Sequence, residues 1–152
     1  LFRQACGAFA TGITVAAVLA ADGSPQGLTA NSFTSVSLSP PLVLICVDKK
    51  ASVHEHFLSA AAYTVHVLGE EQRHLSERFA APLNNRFAGL DWSLTESGAP
   101  LIAGCLATLE CRMQKVIDGG DHTIFLGAVV QTACREGRPL LYFNSGYRTL
   151  GS

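Results

Sequence analysis

Residues 27 to 37 read G-L-T-A-N-S-F-T-S-V-S. Thr29, Asn31, Ser32, Thr34, Ser35 and Ser37 set hydroxyls and an amide in close succession, just ahead of the apolar run Leu42 to Asp48. In an extended chain alternate side chains share a face, so Thr29 pairs with Asn31 and Ser35 with Ser37. Such a ladder, together with the N–H and C=O groups of a strand edge, can hydrogen-bond a long polar ligand. A flavin has the matching chemistry: a polyhydroxy ribityl chain, a phosphate, and a ring edge of alternating donors and acceptors. A Ser/Thr-rich connector capping its own backbone explains the same residues, and composition does not choose between the two.

Two further stretches carry chemistry. At Asp48-Lys49-Lys50-Ala51-Ser52 a strand gives way to a helix. Ser52 reads as the N-cap, with Glu55 completing a capping box. Free N–H groups at that end, with the lysines, make a phosphate seat or simply a solvated turn. At Gly119-Gly120-Asp121-His122-Thr123 a hairpin tip delivers His122 to the next strand, where it packs against a second substrate or faces water. His54-Glu55-His56 lacks H-E-x-x-H spacing, so no metal site is expected, and no G-x-S-x-G elbow supports a serine nucleophile.

These residues need strands to position them. Phe2 to Ala10 reads as a short helix, Ile13 to Ala20 as a buried strand, and Asp22-Gly23-Ser24-Pro25 as the turn into a strand over Gln26 to Asn31. A strand at Val36 to Leu38 is broken by Ser39-Pro40-Pro41. Leu42 to Asp48 reads as a strand covered on both faces. A helix to about Ser59, a strand at Ala62 to Leu68, and a helix over Glu70 to Ala80 follow. On that helix Leu75 and Phe79 turn inward while Glu70, Glu71, Arg73, His74, Glu77 and Arg78 face water. Cys105 to Val116, Thr123 to Gln131 and Pro139 to Asn144 complete the strands. No G-x-G-x-x-G or P-loop opening is present. The class is mainly β, a closed antiparallel barrel with short helices.

Composition narrows the partners. The chain has 152 residues, 48% hydrophobic and only 15% charged, with a formal net charge of -1. That gives no basic field for nucleic acid, and part of the apolar excess is expected in an oligomer interface. No run approaches a membrane span and no signal peptide opens the chain. The five cysteines form no C-x-x-C pair and are odd in number, as reduced thiols in a cytoplasmic protein would be. A start at Leu1 and an end at Gly151-Ser152 read as trimmed termini.

The succession F-R-Q-A-C-G-A-F-A-T-G-I-T-V, G-L-T-A-N-S-F-T-S-V-S-L-S-P-P-L-V-L-I-C-V, G-D-H-T-I-F-L-G-A-V and P-L-L-Y-F resembles the flavin reductase family, from Phe2 to about Leu150. The resemblance implies a Greek-key FMN-binding split barrel spanning the chain as one domain, homodimeric, with the flavin near the dimer interface. It implies an NAD(P)H:flavin oxidoreductase that binds FMN or FAD, takes NADH or NADPH, and supplies a flavin-dependent monooxygenase. An electron-transfer module of the same fold that keeps its flavin is the alternative.

By position, the resemblance assigns Thr29, Ala30, Asn31 and Ser32 to the ribityl and phosphate region, and Ser35, Val36 and Ser37 to the ring. Cys46, Val47, Asp48 and Lys49 end the adjacent strand, and Ser52 reaches the phosphate. Arg86 and Phe87 belong to a segment that closes on the flavin. His122, with Tyr147 nearby, meets the nicotinamide. The protein then needs no acid–base residue, because aligning two rings is its task.

Overall fold

The computed structural model describes residues 1–151. The chain opens with α1 (Phe2–Gly7), β1 (Thr11–Gly12), β2 (Thr14–Leu19), β3 (Pro25–Ala30), β4 (Thr34–Leu38) and β5 (Pro41–Asp48). Next come α2 (His54–Ser59), β6 (Ala62–Val67), a 3-10 turn (Glu70–Gln72) and α3 (Arg73–Ala80). The last part holds β7 (Trp92–Leu94), β8 (Pro100–Ile102), β9 (Ala107–Gly119), β10 (His122–Cys134), β11 (Leu140–Phe143) and β12 (Gly146–Thr149). The mainly β class holds. Strands β1, β7, β8 and β12 are too short to show an alternating pattern in the sequence.

Seven strands form one antiparallel sheet in the order β3-β2-β6-β9-β10-β5-β4. Its two edges, β3 and β4, are joined only by Asn31, Ser32 and Phe33. That link spans at most about 14 Å, whereas a flat seven-stranded sheet would hold its edges roughly 29 Å apart. The sheet must therefore curl. Side chains from strands across its whole width accordingly meet in one core, with Val18, Ile45, Val65, Cys111 and Phe125 around Phe57 of α2. The expected closed barrel is corrected in one respect: β3 and β4 do not pair, so the barrel is open along a seam.

Strands β2 and β6 are buried on both faces. Their outer sides meet a second core containing Leu75, Phe79, Phe87, Ile102 and Leu140. Strand β5, expected to be covered on both faces, is not. Val43, Ile45 and Val47 are buried, while Leu42, Leu44 and Cys46 are half-buried on the outside. Ser52 is also corrected as a cap. Helix α2 starts at His54 behind Val53, with no side-chain cap. The turn closes first, through Ala51 N–H to Asp48 C=O and His54 N–H to Ala51 C=O, and this displaces the helix start past Ser52.

Tight turns set two of the hairpins. Between β9 and β10, Gly120 takes φ +78° and Asp121 does not take a positive φ, the pattern of a type II′ turn. Between β11 and β12, Asn144 and Ser145 both have positive φ, 46° and 60°. That is a type I′ turn made without glycine. Strands β1, β11 and β12 form a separate three-stranded sheet.

His66 pins β8 to the main sheet. Its Nδ1–H donates to Val15 C=O at 2.9 Å and its Nε2 accepts Ile102 N–H at 2.9 Å. Burial pushes its pKa down to about 4. The unfolded chain therefore takes up a proton near pH 6.5 that the native state refuses until about pH 4. This contribution is fully present above about pH 6.5, falls by about 1.4 kcal/mol per pH unit below it, and levels off below about pH 4. Urea denaturation between pH 7 and pH 4 should show this loss, and His66→Gln should flatten it.

Candidate functional site

The seam is held by Ser32. Its Oγ accepts Cys46 N–H at 3.0 Å and donates to Cys46 C=O at 2.9 Å, tying the β3–β4 link to β5. Just before it, Thr29 Oγ1 donates to Ser76 C=O at 2.6 Å, Ala30 is buried, and the Asn31 side chain is exposed. Beyond it, β4 carries a bulge: Ser35 pairs with Val43 and Ser37 with Leu42, leaving Val36 as an extra residue. This breaks the regular alternation expected of Ser35 and Ser37. Val36 is 45% exposed on an edge strand, where outward N–H and C=O groups have no ladder partner.

Register carries the seam to the hairpin tip. Cys46 lies opposite Ile124, and Asp48 lies opposite His122. The Ser32 anchor is therefore about 7 Å along β5 from the level of His122. His122 is half exposed, with Nδ1 2.7 Å from Asp121 Oδ1. Lys49 pairs with Asp118, and its N–H donates to Asp121 C=O at 2.9 Å. The hydrogen bond to His122 holds the Asp121 carboxyl below its ordinary range, and Lys49 does the same for Asp118. Val47 is fully buried, so only its backbone can face a ligand. Burial pushes the Cys46 thiol up, which leaves it protonated and a poor nucleophile.

Ser52 and Arg86 come together although they are far apart in sequence. They line a recess of about 140 Å³ with Gln26, Gly27 and Asn84. Arg86 uses Nη1 on Gly27 C=O at 2.7 Å, and Nε and Nη2 on Ala81 C=O. Two of its five N–H donors remain for an anion. Phe87 points the other way. It is 2% exposed, with its ring edge-on to Phe79 at 5.0 Å and to Trp92 at 5.8 Å. What Phe87 can offer a ligand is confined to its backbone.

Tyr147 lines a second recess, of about 190 Å³, with Thr29 and Asn31. Its hydroxyl lies 2.8 Å from Ser76 Oγ, and the Arg73 guanidinium sits 4.5 Å from its ring centroid. Sequence reasoning does not single out Ser76; Arg73 faces water as the helical pattern predicts, while its guanidinium also lies over the Tyr147 ring. The signal for Ser76 was helical spacing, since it lies four residues after buried Gln72 and three before buried Phe79. A cleft of about 660 Å³ beside Glu96, Glu110 and Arg112 contains none of these residues. Among the described residues no cluster of His, Cys, Asp or Glu could hold a metal ion.

The groups along the seam fit a flavin in kind. The free backbone edge at Val36 suits a ring with alternating donors and acceptors, and the spare donors of Arg86 beside Ser52 suit a phosphate. The model of the flavin reductase like domain matches residues 6–151, and the chain belongs to that family. The open barrel is thus the family's split barrel.

Relatives and solved structures agree with the family. An NADH-dependent FAD reductase of Streptomyces globisporus is 47% identical over 95% of the chain and 81% of its own length. A Rhizobium meliloti relative named "Probable flavin reductase" is 45% identical over 97% of the chain. The chain spans only 47% of that relative's length. A Streptomyces globisporus NADH:FAD oxidoreductase, solved with NAD and FAD fragments, superposes with a TM-score of 0.92 at 44% identity, covering 99% of this chain and 91% of that one. Reductase components of flavin-dependent monooxygenases are also similar, at 41% identity in Acinetobacter baylyi and 38% in Rhodococcus jostii.

Because Phe87 lies in the second core, Phe87→Ala should lower unfolding stability by about 3–4 kcal/mol. Chemical denaturation would detect this as a general loss rather than as a selective loss of ligand affinity.

Proposed function

We infer that this chain is the flavin reductase domain of an NADH- or NADPH-dependent flavin oxidoreductase, over residues 1–152. The observation that carries the reading is the convergence at the seam. The free edge at Val36 follows the one link that joins the barrel edges, the hairpin tip bearing His122 lies two residues along β5 from the Ser32 anchor, and the Ser52–Arg86 recess lies at the start of β3, the strand that leads into the link. The bound flavin, FMN or FAD, supplies the hydride acceptor. The chain's own residues hold and align. Asn31 meets the ribityl chain, the backbone from Ser35 to Ser37 meets the flavin's polar edge, and Ser52 with Arg86 meets its phosphate. Asp121 orients His122 through Nδ1, leaving Nε2 for the nicotinamide side. No residue need move a proton, and the raised Cys46 thiol is consistent with that.

The partner on the oxidising side is a flavin-dependent monooxygenase, as in relatives named reductase components of such enzymes. The chain also acts as a homodimer. Leu42, Leu44 and Cys46 on β5 lie directly opposite Ala128, Leu126 and Ile124 on β10. All six are only half-buried on the outer face, and this apolar stripe runs toward His122. A second copy covering it would give β5 the two-sided burial its sequence calls for. A cytoplasmic setting agrees with five cysteines that are all free, and no helix among the described residues is long and apolar enough to cross a membrane.

Anaerobic mixing of the flavin-loaded protein with excess NADH or NADPH should bleach the flavin absorbance, and a flavin that stays oxidised refutes the reading. His122→Ala should raise the nicotinamide KM about tenfold while leaving flavin Kd within about twofold. The interface is tested separately: Leu126→Glu should convert the dimer to monomer in sedimentation, because it puts a charge into the apolar stripe.

A further inference from the structure

One polar pair is buried in the inner core. His54, the first residue of α2, is 5% exposed, and its Nε2 lies 2.8 Å from Oγ1 of Thr123, which is also 5% exposed. Val47 lies opposite Thr123, and the Phe125 ring is edge-on to the imidazole at 6.1 Å; both belong to the apolar cluster around Phe57. In such surroundings an imidazole and a hydroxyl lower stability unless they bond to each other. Two apolar side chains of the same shape would hold the core about as well. Stability alone therefore does not call for the pair. What the bond adds is a fixed register between two segments.

Those two segments carry different parts of the site. On one side Ser52 is exposed, two residues before His54. It sits on a turn closed by Ala51 N–H to Asp48 C=O and by Lys50 N–H to Asp48 Oδ1 at 2.8 Å. On the other side Thr123 follows His122, and in a strand the two side chains point to opposite faces. Thr123 turns inward to His54, which leaves His122 on the outer face.

Contacts on the outer face give His122 little hold, since its Nδ1 meets Asp121, whose side chain is 90% exposed. The ion pair of Lys49 with Asp118 also joins the turn to the hairpin, but at the surface, where water and salt weaken it. His54 with Thr123 is the buried side-chain link between the same two segments. Away from water such a bond is stronger and its geometry better defined.

We propose that His54 is a positioning residue: through Thr123 it fixes the turn that presents Ser52 to the flavin phosphate against the strand that presents His122 to the second substrate. This assignment rests on the reductase reading and deepens it by naming the bond that sets the two substrates' anchors relative to each other. Buried as it is, His54 acts through Thr123 and the turn rather than on a ligand. One bond therefore serves both phosphate affinity and nicotinamide affinity.

The test compares His54→Leu, Thr123→Val and the double variant with the wild type. Fluorescence titration measures binding of FMN and of riboflavin, which lacks the phosphate. Flavin reduction by NADH and NADPH gives KM and kcat, and urea denaturation gives stability. Each single variant should weaken FMN binding and raise nicotinamide KM by about three- to fivefold, as expected for one hydrogen bond. Riboflavin affinity and kcat should stay within about twofold, because without a phosphate the placement of Ser52 no longer counts. Each single variant also loses stability, having left one polar group orphaned in the core. The double variant leaves none, so its stability should recover toward wild type while FMN affinity and KM stay impaired. Should His54→Leu not fold, Thr123→Val and the double variant carry the same comparison. Affinities that recover together with stability overturn the assignment, by making the pair a packing element only. Equal losses of riboflavin and FMN affinity overturn it too, as do variants with unchanged FMN affinity and KM. A wild type that binds riboflavin as tightly as FMN overturns it by taking the phosphate away from Ser52. All of these leave the reductase reading standing, whereas a wild type whose flavin neither nicotinamide bleaches overturns that reading and this assignment with it.

Discussion

Three residues decide the shape of this molecule. Asn31, Ser32 and Phe33 must carry the chain from one edge of a seven-stranded sheet to the other, and the sheet has no choice but to roll up around them. Because the two edges stop short of pairing, the roll remains open along that line. The Ser32 hydroxyl supplies the closure that ladder hydrogen bonds do not, by serving both backbone groups of Cys46. A small polar side chain is required there, since anything larger would hold the edges apart and anything apolar would leave two β5 backbone groups unserved. The groups that fit a flavin lie along this line, where backbone polarity is not consumed by a neighbouring strand.

The burden of stability is placed away from the seam. Strands β2 and β6 sit beneath both cores, and their polar side chains are fully engaged: Thr14 donates to Ala30 C=O, Tyr63 to Phe125 C=O, and His66 bridges two backbones. Gly127 shows how tightly the inner core is filled, because a Cβ there would lie 2.5 Å from the Tyr63 hydroxyl and 2.8 Å from the Cys111 Cβ. On the other side of the barrel, β5 and β10 leave an apolar outer face half covered. The rigid half and the open half are thus different strands of the same sheet, and His122 lies at the end of the open half.

Much of this was legible in the sequence, for local reasons. The hairpin at Gly119-Gly120, the buried strands at 14–19 and 62–67, and the inward face of Leu75 and Phe79 follow from turn chemistry and periodicity. The polar stretch was visible as a site because so many hydroxyls ahead of a core strand are unusual. Features that depend on three dimensions were not legible. The bulge at Val36 is set by how β4 must meet β5 as the sheet bends, and nothing in S-V-S announces it. Ser52 had a capping sequence but lost the helix start to a turn closed by Asp48. Phe87, beside a site-facing Arg86, is claimed by the core because Phe79 and Trp92 form an aromatic pocket around it. Ser76 carries no motif, and its role arises from where α3 happens to meet a strand some seventy residues later.

The bulge at Val36 has a second consequence. Neither margin of the sheet is paired with a further strand, and an unpaired margin invites a strand from another molecule to add on and keep adding. Strand β3 begins at a proline, and β4 is interrupted midway by the extra residue and ends just before two more prolines. A straight foreign strand laid against β4 would lose its register at Val36. The irregularity that leaves these backbone groups open to a small flat molecule therefore makes the same groups a poor template for fibril growth.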